Sequence, residues 1–365
     1  GYSCDDSVEV NQGREACRSR PAAATARGAA SVPSGRAKSS AGPSSPAAAA
    51  IWCKDAERIM SKAEKSVPPP TNVRSLKARI ENLARRHGIA PNLLHHQLAS
   101  YVVTEMLQRS RATTGEGLFL IKGGTAIQMR LGLSASRFSK DLDAVFRGSV
   151  DDIVGAARAA LAEDWHGFTA KPARPKPINV PGMPTKPMRF DVQLDYRNQS
   201  FAKVPVEVSI AEAESARTSD EIAPAAFATI GMEALGLPDV GVASLMSLEY
   251  QIAQKLHACT DPGEPPRDNE RAHDVVDLLL LLPLLDESAY AATRHACVEI
   301  FTNRGRQNWP PQVRTYPDWS RLYRVAVSDI LEPPELPETI HDAIALLQYY
   351  IEQLEARGRG VRLSD

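Results

Sequence analysis

Residues 119–145 read FLIKGGTAIQMRLGLSASRFSKDLDAV, and the order of features in this stretch decides the fold. The apolar run Leu118 to Ile121 has strand character, Gly123-Gly124 makes a turn, and Thr125 to Leu131 has helical spacing. The segment Ser139-Lys140-Asp141-Leu142-Asp143-Ala144-Val145-Phe146 then returns as a second strand. Strand side chains alternate with period two, so Asp141 and Asp143 are expected on one face. Two carboxylates that close repel each other, and the usual remedy is a hard cation. A paired-glycine turn beside them leaves backbone N–H groups for phosphate oxygens, with Ser139 placed for a hydroxyl contact. These features predict metal and phosphate chemistry, and leave kinase, cyclase and transferase all open.

The rest of the composition sets bounds. A chain of 365 residues holds one large or two modest domains, and 43% hydrophobic with 24% charged residues is ordinary for a soluble globular protein. A formal net charge of -1 excludes a strongly basic protein while leaving local patches open. Five scattered cysteines without a CxxC pair argue for a reducing compartment and against a zinc or disulfide framework. No apolar run approaches a membrane span, and no basic segment followed by an apolar one marks a signal peptide, so the expected location is cytoplasmic.

Along the chain the expected order is helices, a small mixed sheet and a helical half, an α+β arrangement. Residues 1–70 read as a disordered low-complexity extension, with a short helix over Trp52–Ser66 before Pro68-Pro69-Pro70. Residues 71–235 read as a core with a helical lead-in, and 236–365 as a helical domain. Leu76, Ile80, Leu83 and Ala84 recur at helical spacing, as do Leu94, Leu98, Tyr101, Val102 and Met106. Asp151 to Glu163 is a further helix. Residues 170–189 read as a proline-rich loop carrying Lys171, Arg174, Lys176, Lys186 and Arg189 without an acid. Met188 to Tyr196 and Ala202 to Ile210 alternate around Arg197-Asn198-Gln199, a β-hairpin signal. Beyond Val240 the pattern is helical to the end.

Further candidates follow from these elements. Glu207 lies between valines and shares a strand face with Ser209. It reads either as a satisfied edge-strand glutamate or, if its strand lies beside the Asp-Leu-Asp strand, as a third carboxylate for divalent ions. Asp191 and Asp195 compete for that role and are expected to face solvent. Leu248, Ile252, Lys255 and Cys259 form one helical stripe, so Lys255 either snorkels or meets an anion. His257 falls on the opposite side and reads as a surface histidine. Asp274 aligns with Leu278 and Leu281 on a nearly apolar helix and needs a cation, for which Lys255 or Arg271 would serve. Asp277 reads as a cap or a structural pair, and Arg137, near the two strand acids, as a structural ion-pair partner or a site residue. There is no GxxxxGK[ST], GxGxxG or GxSxG, and His95-His96 lacks a partner at metal-ligand spacing.

The motif order KGGTAIQMRLG, RFSKDLD, an acid-bearing strand, QKLHA and R-x-x-D-x-x-D resembles the AbiEii/AbiGii toxins, nucleotidyltransferases of type IV toxin–antitoxin systems. The helical lead-in SLKARIENLARRHGI is similar too, and the likeness spans roughly residues 72–350. The resemblance implies a polymerase-β-like nucleotidyltransferase core followed by a mainly helical domain. It implies that Gly123, Gly124 and Ser139 hold a nucleoside triphosphate and that Asp141 and Asp143 bind Mg2+ (or Mn2+). Lys255 matches the phosphate-contacting lysine and Asp274 the acid of the last motif, while Glu207 stands where such enzymes more often show aspartate. The acceptor so implied is the 3′ end of a tRNA, and the implied partner is an antitoxin. Transfer to a small molecule or a protein side chain, or nucleotide binding without turnover, remain the alternatives. The basic loop 170–189 with Arg304, Arg306, Arg314, Arg321 and Arg324 reads either as ordinary solvated surface or, taken together, as the electrostatic footprint for RNA.

Overall fold

Asn72 opens the first described helix with a reciprocal cap. Its side chain accepts from the Ser75 N–H at 2.8 Å, and the Ser75 hydroxyl bonds back to the Asn72 N–H at 3.2 Å. The computed structural model describes residues 67–179, 186–223, 231–263 and 268–360. The low-complexity segment 1–50 and the helix expected over Trp52–Ser66 therefore lie outside the described residues. Pro68 and Pro70, assigned by composition to the extension, are tied to the core: Arg79 donates to the Pro68 carbonyl at 2.6 Å and the Tyr196 hydroxyl to that of Pro70 at 2.8 Å.

Two lead-in helices, α1 (Val73–Arg86) and α2 (Pro91–Leu107), bury the stripes read from the sequence. Eight strands follow in one mixed sheet: β1 (Phe119–Lys122), β2 (Leu142–Phe146), β3 (Phe168–Pro172), β4 (Lys176–Pro177), β5 (Met188–Tyr196), β6 (Gln199–Ile210), β7 (Ser219–Ile222) and β8 (Ala243–Met246). Their spatial order is β3-β5-β6-β2-β1-β8-β7, with β4 beside β5. The β2–β6 and β1–β8 pairs are parallel and the others antiparallel. Helix α3 (Gly123–Leu131) leaves β1 directly, and α4 (Ile153–Ala160) follows β2. The C-terminal helices are α5 (Leu248–Thr260), α6 (Ala272–Leu281), α7 (Ala289–Arg304), α8 (Trp319–Ser328) and α9 (Ile340–Gly358). The architecture is α+β, as expected.

Three readings are corrected. The segment 170–189 is not all loop: β3 and β4 both pair with β5. The region beyond Val240 is not wholly helical, because β8 extends the sheet beside β1. Its four residues are all buried, and so short an apolar run cannot be told from helix by periodicity. Strand β2 starts at Leu142, so the pleat fixes Asp143 but not Asp141.

The hairpin forms as read, with Arg197 (φ +47°) and Asn198 (φ +62°) as a two-residue left-handed turn. One face of the sheet is largely apolar, with Ile121, Leu142, Ala144, Val192, Val204 and Val206 packed with α1, α2 and α4 in one core. On the other face Leu120, Val145 and Met246 join the C-terminal helices in a second core. The polar residues of that second face line up beyond the edge of the apolar patch, and they form the site.

Candidate active site

Strand register builds the site. Lys122 pairs with Asp143 across β1–β2, Asp143 with Glu207 across β2–β6, and Glu207 with Arg189 across β6–β5. Directly paired residues share a face, so these four side chains form one row. Ser209, two residues beyond Glu207, accepts from Lys122 Nζ at 2.8 Å. Asp141, just ahead of β2, accepts at Oδ1 from Arg189 Nη2 at 3.2 Å. The three acids are thus neighbours flanked by two cations. Among the described residues, no three His, Cys, Asp or Glu side chains stand close enough together to hold a metal ion.

The electrostatics record the crowding. The Asp143 carboxyl is pushed up to about 6, first by burial and then by Glu207 and Asp141, against the opposing pull of Lys122 and Lys255. Burial also lowers the Lys122 ammonium, opposed by Asp143, Glu212 and Glu207. Lys122 precedes the glycine pair, lies just past the apolar run Leu118 to Ile121, and has no role in the sequence reading beyond its place in KGGTAIQMRLG. The structure adds it to the site, and the signal that would have found it is its place opposite an acid in the strand–turn–strand pattern.

The glycine turn is required by contact. At Gly123 φ is +64°, and an added Cβ would lie 2.3 Å from Asp143 Oδ2. At Gly124 an added Cβ would lie 2.7 Å from Ser139 Cβ. Both glycines therefore let the backbone approach the acid strand, and α3 begins there with its first N–H groups lacking intrahelical partners. The Ser139 hydroxyl donates to the Asp141 carbonyl at 3.1 Å, which ties the serine to the turn before β2.

The helical half closes the site from one side. Strand β8 runs parallel to β1, so α5 leaves the sheet at the same end as α3. Asp220 of β7 accepts from the Leu248 N–H at 3.0 Å and so caps α5. In the first turn of α5, Gln251 donates to the Gly123 carbonyl at 2.9 Å. One turn further, Lys255 Nζ donates to Asp274 Oδ1 and to Asp277 Oδ2, both at 2.7 Å. Arg137 grips Asp277 with Nε and Nη2, each at 2.8 Å. Burial alone would raise the Asp277 carboxyl, but Lys255 and Arg137 together hold it well below the usual range. Burial likewise opposes the Lys255 charge, and the two aspartates hold its ammonium above the ordinary value.

Lys255 meets anions rather than snorkelling, and Asp274 takes Lys255 at 2.7 Å with Arg271 at 3.7 Å. Asp277 does pair, and its partners are Lys255 and Arg137; Arg137 thus meets Asp277 of the helical half rather than the strand acids. Asp191 pairs with exposed Lys203 and Asp195 with exposed Lys171, away from the acid row. His257 is corrected: it is 2% exposed, lies beside Phe301, and contacts Arg304 at 3.3 Å. Arg304 is engaged with Glu212, just after β6, at 2.9 Å and Arg306 with Asp261 at 2.5 Å, so those two are committed to ion pairs within the fold. No helix among the described residues is long and apolar enough to cross a membrane.

Comparison with known proteins places these features in context. The profile of the family described as Nucleotidyl transferase AbiEii toxin, Type IV TA system, matches residues 105–347. Among solved structures, the chain is similar to MenT4, a nucleotidyltransferase toxin from Mycobacterium tuberculosis H37Rv. That match has a TM-score of 0.45 at 16% identity, and covers 78% of this chain and 99% of the other. No curated protein matches the sequence.

Proposed function

The chain belongs to the AbiEii nucleotidyltransferase toxin family of type IV toxin–antitoxin systems, and from that premise we propose that it transfers a nucleoside monophosphate from an NTP to the 3′ hydroxyl of a tRNA. The observation that carries this reading is the row Lys122, Asp143, Glu207, set against a glycine turn that only a residue without Cβ can occupy.

The residues present suit a hard divalent cation. Asp141, Asp143 and Glu207 offer only oxygen donors, burial and then the two neighbouring acids raise the Asp143 carboxyl, and Gly123 clears the approach to Asp143 Oδ2. Asp141 and Asp143 would hold Mg2+ or Mn2+; as they stand the three acids are not close enough together for a shared ion, so Glu207 would join as a third ligand only by moving toward it. The ion, when bound, supplies charge neutralisation on the triphosphate.

The chain's own groups do the rest. Backbone N–H groups at Gly123 and Gly124 and the Ser139 hydroxyl bind phosphate oxygens. Lys255 has three N–H donors, and Asp274 and Asp277 take two of them. The third is then oriented for the departing pyrophosphate. The acceptor oxygen bonds to the α-phosphorus as the α–β bridging oxygen leaves, and Glu207 or Asp143 takes the hydroxyl proton. Positioning and charge compensation carry most of the acceleration in such transfers.

The test is label transfer. Purified chain is mixed with magnesium, total tRNA and each α-labelled NTP in turn, beside Asp143→Ala. Label in RNA with wild type alone supports the reading. Label in protein instead points to side-chain modification, and bound nucleotide without transfer points to a regulator. Equal labelling by Asp143→Ala removes the metal assignment. Copurification with the product of a neighbouring gene would identify the antitoxin.

A further inference from the structure

Arg189 is not accounted for by the glycine turn, the acid pair or the lysine of α5. Register places it opposite Glu207 on one side and opposite Lys176 of β4 on the other. Across five adjacent strands the row therefore runs Lys176, Arg189, Glu207, Asp143, Lys122 on a single face. The signs are cation, cation, acid, acid, cation. Arg189 donates to Asp141, and each of these two side chains is 46% exposed. The lysine at the other end differs: Lys122 is bonded to Ser209 and lies among the strands.

We propose that Arg189 holds Asp141 only until a divalent cation takes that carboxylate, and that the released guanidinium then joins Lys176 as a site for a phosphodiester of the acceptor strand. The proposal rests on the reading of Asp141 and Asp143 as cation ligands. A half-exposed ion pair is weak in water, so a dication that bonds the same oxygen displaces it readily. The displaced guanidinium stays on β5 beside Lys176, with strands about 4.8 Å apart and no acid between them in the row. Two cations so placed repel each other, and a phosphate relieves both.

The ligand that fits is the end of a single-stranded RNA. Lys171, Lys176, Arg189 and Lys203 are exposed on β3 to β6; Lys171 and Lys203 are paired with Asp195 and Asp191, which leaves Lys176 and the released Arg189 as the uncompensated cations of a ledge leading to the acids. Such a ledge matches the regular charge of a sugar–phosphate backbone. The coupling is reciprocal: the cation strengthens RNA binding, and RNA strengthens cation binding by the same factor. The order of assembly is then metal and nucleotide first, acceptor second.

The experiment measures Mn2+ binding by electron paramagnetic resonance and the anisotropy of a labelled short single-stranded RNA at fixed salt. It uses the full chain as wild type, R189Q, K176Q and D143N. Losing a competitor of up to about 1 kcal/mol makes R189Q bind Mn2+ up to about fivefold more tightly. In wild type Mn2+ strengthens RNA binding by a comparable factor, and in R189Q that response is gone. K176Q weakens RNA binding and leaves Mn2+ affinity unchanged. If D143N loses Mn2+ while R189Q binds it no more tightly than wild type, the exchange is overturned and the cation site stands. If D143N keeps wild-type Mn2+ affinity, the cation site and the exchange both fall. Full Mn2+ dependence of RNA binding in R189Q also overturns the exchange.

Discussion

Asp143 and Glu207 stand directly opposite each other in the parallel pairing of β2 and β6, so two acids from segments 64 residues apart in sequence share one face. Like charges in that position destabilise a sheet unless something holds them for use. Replacing Asp143 by Asn should therefore separate stability from activity. Label transfer should fall roughly 10²- to 10³-fold, the scale for removing one electrostatic group from an active site. The thermal midpoint of the metal-free chain at pH 7 should rise, because a neutral amide ends the repulsion. Calorimetry beside single-turnover labelling reads both, and a midpoint that drops would mean that the acid pair is structural.

Gly123→Ala meets two penalties. A left-handed φ of +64° costs an L-residue roughly 1–2 kcal/mol, and the new Cβ overlaps Asp143 Oδ2. Denaturant unfolding should show at least that loss, and nucleotide binding should weaken with it. An alanine variant that unfolds and binds like wild type would place the glycine turn elsewhere.

Asp277 is the centre of the buried network, holding Lys255 and Arg137 at once. Asp277→Ala leaves both cations short of a buried partner, at a cost of about 3–5 kcal/mol in unfolding free energy. Asp277→Asn keeps the volume but not the charge, and should show an intermediate loss. Because Lys255 then loses one of its two anchors, labelling should drop in the asparagine variant even where it is fully folded.

His257 sets a pH dependence. Burial, with Arg304 beside it, lowers its imidazole to about 4 from an ordinary 6.5. The unfolded chain then binds a proton that the folded chain refuses, so stability falls as pH drops from 6.5 through 4. The full contribution across that window is roughly 2–3 kcal/mol, before solvent screening reduces it. His257→Gln should flatten the midpoint-against-pH curve there. An unchanged curve assigns the acid sensitivity to other groups.

Much of the site was legible in sequence because it rests on short-range pattern. The glycine turn, Asp143 on a strand, Glu207 on a hairpin and Lys255 on an apolar helical stripe each follow from local spacing. The Lys255–Asp274 pair was also legible, since both lie on apolar helices and each needs the other. Arg189 was hidden by one residue. Tyr196 pairs with Gln199 and Asp195 with Ser200, but Leu194 pairs with Ala202, so Phe201 is an extra residue that shifts the register. Without that bulge Arg189 would face Val206, and its side chain would leave the acid face. His257 was misplaced because helical spacing defines a face relative to one neighbour only. Here α7 covers the opposite side of α5, with Phe301 against the imidazole ring.

The parallel β1–β8 pair has a consequence for anyone who cuts this gene. Strand β1 carries Lys122 and the glycine turn, and β8 covers one of its two edges. A fragment that stops short of Ala243 keeps every motif of the glycine turn and acid strands but bares that edge, a template for adhesion between copies. The matching C-terminal fragment would begin with an apolar strand that has nothing to pair with. Expressed separately, the two pieces would be inclusion-body material rather than modules, and a split-protein reporter would have to break the chain elsewhere.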